Sequence, residues 1–325
     1  MRKLEPIMER IREAETIAVV CHLSPDGDAM GCLLGMRLGL EQLGKRVAVY
    51  CQDPVPGNLR FLPGSETVLG PEAVGQARYD LLLAVDCADF ERLGQCGRLR
   101  EFAAHTAQID HHGTNPIYFE ENCVDGSASA AALVAFELLN RLGVEITTEI
   151  ATCLYTGLST DTGNFAFSCT TPEAFRTAAV LLEKGAPMVD INRRMFRVKQ
   201  RPSVALLERA LRSLQFLGEG EVTVMTLTQA DQQACAALRE HSDGIVNQGL
   251  DIAGVKLTCL LREDGPEDVK AAFRAVDGYR VDRIAASFGG GGHPLASGAS
   301  LHMDLREAEK AVTAALLQEA ASHRA

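Results

Sequence analysis

The chain has 325 residues, more than one hydrophobic core usually organises, so two domains are expected. Its 46% hydrophobic and 23% charged residues are those of a water-soluble globular protein, and a net charge of -11 excludes a basic surface for long duplex nucleic acid or anionic membranes. With 5% aromatic residues and no Trp there is no broad platform for stacking single strands, which leaves a short or mononucleotide-sized anion held by local residues and metal.

Met1 to Glu15 is charged and helical in pattern, without the features of a signal peptide. The ten Cys are never closer than nine residues apart, so no CxxC motif exists and the thiols read as reduced, cytoplasmic and mostly core. No apolar run approaches the length of a membrane span. Ile17 to Cys21 is a β-branched apolar strand that stops at His22; Ser24-Pro25-Asp26-Gly27 turns the chain, and a helix is expected over Ala29 to Leu43. Arg46 to Cys51 reads as a second strand. Leu81 to Val85 is a continuous apolar run ending at Asp86, and Thr106 to Ile109 leads into Asp110-His111-His112. Helices follow over Ser127 to Leu142, from about Glu149 to the polar Ser159-Thr160-Asp161-Thr162-Gly163-Asn164, and from Thr171 to Lys184. The basic segment Asn192 to Pro202 reads as interdomain connection, followed by a helix from Ser203 to Leu217. Strands over Glu221–Leu227, Val255–Leu261 and Asp268–Val276, a helix over Asp282–Phe288, the run Gly289-Gly290-Gly291-Gly292-His293, a further strand and a helix over Leu305–Ala321 complete a smaller domain. The fold expected is α/β: a doubly wound, mostly parallel sheet domain followed by a smaller C-terminal α/β domain.

Four clusters stand out: His22/Asp26/Asp28, Asp86, Asp110/His111/His112 and Asp161. Each alone is compatible with a helix cap or a solvated turn. Three of them, however, end predicted parallel strands and would converge at one sheet edge, where carboxylates crowd each other unless cations intervene. Divalent metal supplies that charge.

In this order, HxxxDxD, strand-end Asp, Asp-His-His, the Asp of STDTGNF and a late GGGGH, the chain resembles the DHH phosphoesterase family with its DHH-associated C-terminal domain, over about residues 1–310. Within it the pattern is most similar to the NrnA-type oligoribonucleases and 3',5'-bisphosphate nucleotide (pAp) phosphatases. The resemblance implies a catalytic domain over 1–191, a linker and connecting helix over 192–217, a substrate-binding domain over 218–325, and an active site in the cleft between them. It makes His22, Asp26 and Asp86 ligands of one divalent ion and Asp28, Asp86, His111 and Asp161 ligands of a second, with Asp86 bridging. His112 would face the reacting phosphate, Asp110 would orient the histidines, and Gly290, Gly291, Gly292, His293 and Arg274 would bind substrate. Ligands without thiolate suit Mn2+, with Mg2+, Co2+ or Zn2+ as alternatives.

The activity implied is hydrolysis of short oligoribonucleotides to mononucleotides and removal of the 3'-phosphate from pAp, with no long duplex or membrane partner and with a homodimer left open. Rival readings are a cyclic-dinucleotide or pApA phosphodiesterase, an inorganic pyrophosphatase and an inactive nucleotide sensor. Ala272 and Ala275 depart from the SFRS-like family pattern around Arg274, removing hydroxyls expected near the substrate.

Overall fold

Burial with a period of two explains the first sheet. In β1 (Thr16–Val20), Ile17 and Val19 enter one core while Ala18 and Val20 enter another on the opposite face, so an apolar run without alternation is a strand covered on both sides. Its neighbours are β2 (Arg46–Tyr50) and β3 (Tyr79–Val85), and β4 (Ala103–Asp110) and β5 (Glu121–Val124) extend the sheet. All pairs are parallel, in the order β2-β1-β3-β4-β5. The chain reverses its direction of travel across the sheet between β1 and β3, the place where open α/β sheets bind ligands beyond their carboxyl ends. This computed structural model describes residues 2–323 and divides into two units, one ending at Val198 and the other beginning at Lys199.

The first unit also contains α1 (Glu5–Glu13), α2 (Gly27–Gln42), α3 (Ala131–Arg141), α4 (Thr148–Asp161), α5 (Pro172–Glu183) and α6 (Met188–Asn192). Their apolar side chains share one core with one face of the sheet. The other face is covered by 3-10 turns over Phe90–Phe102, where Leu93, Cys96 and Leu99 are buried and Gly94, at φ 58°, interrupts any helix.

One packing feature positions the site. Gly27, Gly31, Gly35 and Gly39 recur every fourth residue on α2 and form a groove against α4 and its neighbours. A Cβ on Gly31 would collide with the Cys153 carbonyl oxygen, and one on Gly157 of α4 would lie 2.5 Å from Asp28 Oδ1. The two helices therefore approach backbone to backbone, bringing the start of α2 to the end of α4.

The expected helices at Ala29–Leu43, Ser127–Leu142 and Leu305–Ala321 occur as Gly27–Gln42, Ala131–Arg141 and Leu305–Ser322. Before α3, Asp125 instead folds Ser127 into a turn, its Oδ1 accepting from Ser127 N and Oγ. Within the basic segment, Arg193–Arg197 is a π-helical turn in the first unit, and the boundary between the two units follows Val198. The helix read over Ser203–Leu217 is α7 (Arg201–Arg212) in the second unit, and Gln215–Leu217 is a strand, β6, because its backbone pairs antiparallel with Val222–Val224. Unread in the sequence were β5, which carries no uninterrupted apolar run, and the short helices α8 (Gln229–Ala234) and α9 (Asn247–Leu250).

The remaining elements of the second unit are β7 (Val222–Leu227), β8 (Leu257–Gly265), β9 (Asp268–Ala275), α10 (Val281–Ser287), β10 (Gly291–His293), β11 (Ala296–Leu301) and α11 (Leu305–Ser322). Its sheet runs β10-β11-β9-β8-β7-β6, parallel only between β7 and β8. Val312 and Leu316 of α11 pack on one face, and Leu206 and Ala210 of α7 on the other. No helix among the described residues is long and apolar enough to cross a membrane.

Candidate metal centre

Five backbone segments end at one place. Beyond β1 lies His22; Asp26 caps α2 and Asp28 sits in its first turn; Asp86 follows β3; Asp110 ends β4 and is followed by His111 and His112; Asp161 ends α4. His22 Nε2 stands 3.5 Å from Asp86 Oδ2 and 3.9 Å from Asp26 Oδ2. His111 Nε2 stands 3.5 Å from Asp86 Oδ1, 3.1 Å from Asp161 Oδ2 and 4.0 Å from Asp28 Oδ2. Asp86 thus lies between two imidazoles, each with its own further carboxylates.

Several side chains serve the fold and the site with different atoms. Asp26 Oδ1 accepts from Asp28 N and Ala29 N, the ordinary N-cap, while Oδ2 turns to His22. Asp28 is fully buried and accepts from Ala131 N at 2.6 Å and Ala132 N at 3.0 Å, capping α3 from a different helix. Asp86 has φ 50°, a left-handed backbone costing about 1–2 kcal/mol in most residues and somewhat less in Asp. His22 Nδ1 lies 2.7 Å from Leu23 O, which fixes the hydrogen on Nδ1 and leaves the Nε2 lone pair facing Asp86.

Electrostatically the site holds excess negative charge. Burial pushes the Asp28 carboxyl well above its usual range, with Asp161 and Asp86 adding to the shift. Burial likewise raises Asp161, to about 6, against the opposing pull of His111. For Asp86, burial opposes ionisation, but the imidazoles of His111 and His22 beside it outweigh burial and hold the carboxyl well below the usual range. His111, although burial disfavours its charge, is pushed up to about 12 by Asp161 and Asp86.

The donor set fits divalent cations. Atoms of His22/Asp26/Asp86 lie within 4.8 Å of one another, as do those of Asp28/His111/Asp161, and no thiolate is among them. Asp86 Oδ1 is buried with no hydrogen-bond partner among the described residues, as befits an oxygen that would face a cation. His112 also comes within reach, its Nδ1 3.8 Å from Asp86 Oδ1. That nitrogen is 2.8 Å from Asp110 Oδ1, however, and is engaged there rather than as a ligand.

Sequence likeness supplies the family. Residues 16–158 match the model of the DHH family, N-terminal domain, and residues 225–321 match the DHHA1 domain. The bifunctional oligoribonuclease and PAP phosphatase NrnA of Thermus thermophilus is 35% identical over 320 residues, covering 98% of this chain and 94% of that protein. The chain belongs to the DHH family. Its Bacillus subtilis relative of the same name is 25% identical over 89% of the chain and 90% of the relative. A crystal structure of an exopolyphosphatase-related protein from Bacteroides fragilis superposes with a TM-score of 0.91 at 28% identity, covering 97% of each chain.

In this DHH-family chain the eight residues read from the first four sequence clusters are all brought together. Arg274 and the glycine run lie in the second unit. Arg274 is half-buried on β9, its Nη1 donating to Phe273 O at 2.8 Å. The glycine run is not the open loop its composition suggests: Gly291–His293 pairs antiparallel with Ala296–Gly298. Gly292 has φ 140°, and a Cβ there would lie 2.6 Å from Ser297 Cα, so hairpin packing also demands glycine.

Sequence reasoning missed Asn115. Its Nδ2 donates to Asp110 Oδ2 at 2.7 Å and to Cys87 O at 3.1 Å, locking the carboxylate that holds His112. Its only signal was proximity to the Asp-His-His motif. The Ala131 and Ala132 amides that hold Asp28 had no side-chain signal at all.

Proposed function

We propose that this chain is a metal-dependent phosphoester hydrolase of the cytoplasm that releases mononucleotides from short oligoribonucleotides and removes the 3'-phosphate from pAp. The observation that carries the reading is Asp86, a buried carboxylate between the His22 and His111 imidazoles, with one oxygen that has no hydrogen-bond partner among the described residues. The substrate classes rest on the full-length likeness to relatives bearing the NrnA name.

In this reading His22, Asp26 and Asp86 hold one ion, Asp28, Asp86, His111 and Asp161 the other, and Mn2+ is the occupant that the nitrogen and oxygen donors suit best. Such a pair of ions, when bound, supplies an ionised water at neutral pH and neutralises charge on the phosphoryl oxygens. The chain's own work is positional. Asp86 sets the spacing of the two groups, while α3 fixes Asp28 through two amides so that it cannot rotate out of the site. Asp110, itself held by Asn115, keeps the Nδ1 hydrogen of His112, so that Nε2 is the atom that would exchange a proton with the phosphate or donate to it. Arg274, Gly290, Gly291, Gly292 and His293 bind the part of the nucleotide away from the reacting phosphate.

Chromatographic product analysis with Mn2+ on pAp, on RNA from 2-mer to 24-mer, on pApA and on pyrophosphate tests the reading. AMP and orthophosphate from pAp, and mononucleotides from the shortest RNAs with rates falling as length grows, are expected. The length dependence follows from a net charge of -11, which disfavours an extended polyanion. Exclusive turnover of pyrophosphate, or equal rates on a 3-mer and a 24-mer, would contradict it.

A further inference from the structure

Arg92 is fastened beside the metal centre by its backbone, and its side chain has no acceptor there among the described residues. Leu23 N donates to Arg92 O at 2.7 Å, and Arg92 N donates to Asp89 Oδ1 at 3.0 Å. The residue is therefore pinned between the turn that follows β1 and the 3-10 turns that follow β3. Its Nη2 lies 3.1 Å from His22 Nδ1. That nitrogen already gives its hydrogen to Leu23 O, so the guanidinium and the ring meet donor against donor and no hydrogen bond results. Arg92 makes no ion pair among the described residues, although it is half-buried.

A guanidinium carries a planar fork of N–H donors and no acceptor, and removing it from water without a partner is unfavourable. Phosphate oxygens match that fork. In strand order β1, β3, β4, the side chain of Arg92 contacts His22 beyond β1, Asp86 follows β3, and His112 follows β4. We propose that Arg92 binds anionic oxygens of the substrate phosphate on the His22 side of the metal centre, opposite His112. This rests on the hydrolase reading given above. The rival role, in which Arg92 only holds the His22 ring in place for its ion, predicts a change in metal affinity instead.

The test compares wild type with Arg92→Ala and Arg92→Lys in three measurements: Mn2+ affinity by titration, binding of AMP to the Mn2+-loaded protein by calorimetry, and steady-state turnover of pAp. For Arg92→Ala, KM for pAp and Kd for AMP are expected to rise about 10- to 100-fold, the range for losing a charge-assisted hydrogen bond, with Mn2+ affinity unchanged. Arg92→Lys should recover part of the AMP affinity, because a point charge replaces the fork. Should the alanine variant fail to fold, the lysine variant is still expected to weaken AMP binding several-fold while keeping Mn2+ affinity. Weakened Mn2+ binding with unchanged AMP affinity would overturn the proposal in favour of the ring-holding role. AMP and Mn2+ affinities both unchanged would overturn it outright. If wild type turned over neither pAp nor short RNA, the hydrolase reading would fall by itself, while the AMP titration would still decide the role of Arg92.

Discussion

His111 carries the clearest conflict between proton and metal at the level of single residues. In the metal-free protein its pKa is raised to about 12, so it is protonated across the neutral range, yet only a deprotonated Nε2 can ligate. Asp161, raised to about 6, adds a second competing proton below that pH. Metal binding must therefore release protons, and Mn2+ affinity should weaken steadily as pH falls from about 8.5 to about 5.5, most steeply near the acid end. Titrations in two buffers of different ionisation heat check this, and pH-independent affinity would contradict it. Asp110 gives the second prediction at this scale. Asp110→Asn places an amide against His112 Nδ1 and favours the wrong tautomer, so kcat should fall by roughly two to four orders of magnitude. Mn2+ affinity should hold, since Asp110 ligates nothing.

Among elements, the contact between α2 and α4 decides whether Asp26, Asp28 and Asp161 can share one site. Gly31→Ala pushes a methyl group into the Cys153 carbonyl and forces the helices apart, at a cost of about 1–3 kcal/mol for an overpacked contact. Chemical denaturation of the metal-free protein should show that loss together with weaker Mn2+ binding; full stability in the variant would refute the close-packed groove. The elements legible in the sequence were those with an uninterrupted apolar run or a clean helical period. β1 and β3 announce themselves because both faces are buried, and their ends announce the site because His22 and Asp86 follow at once. Burial on only one side hides β5, and β6 is hidden because it is three residues long, with Gln215 and Phe216 exposed and only Leu217 packed against the core. The 3-10 turns over Phe90–Phe102, and with them Arg92, were invisible for a similar reason: Gly94 breaks the helical period that would have drawn attention to the segment.

At the scale of the whole molecule, the chain combines a parallel-sheet unit bearing eight clustered Asp and His residues with a mixed-sheet unit bearing Arg274 and the glycine hairpin. The clustering of these Asp and His residues could be read in advance because they lie at strand and helix ends, where the order of the sequence already implies convergence. What could not be read were contacts made by backbone amides, such as those that hold Asp28, since any residue type supplies them. The glycine run was legible as a special segment, but its hairpin pairing depends on β11, which the run itself does not encode. The central claim, that phosphoester hydrolysis depends on ions gathered around Asp86, is tested most directly by orthophosphate release from pAp. The assay uses chelator-stripped protein, the same protein with Mn2+ restored, and Mn2+-supplemented Asp86→Asn. Release only from the wild-type protein with Mn2+ restored is the predicted result; release at the full rate from the stripped protein or from Asp86→Asn would contradict the account.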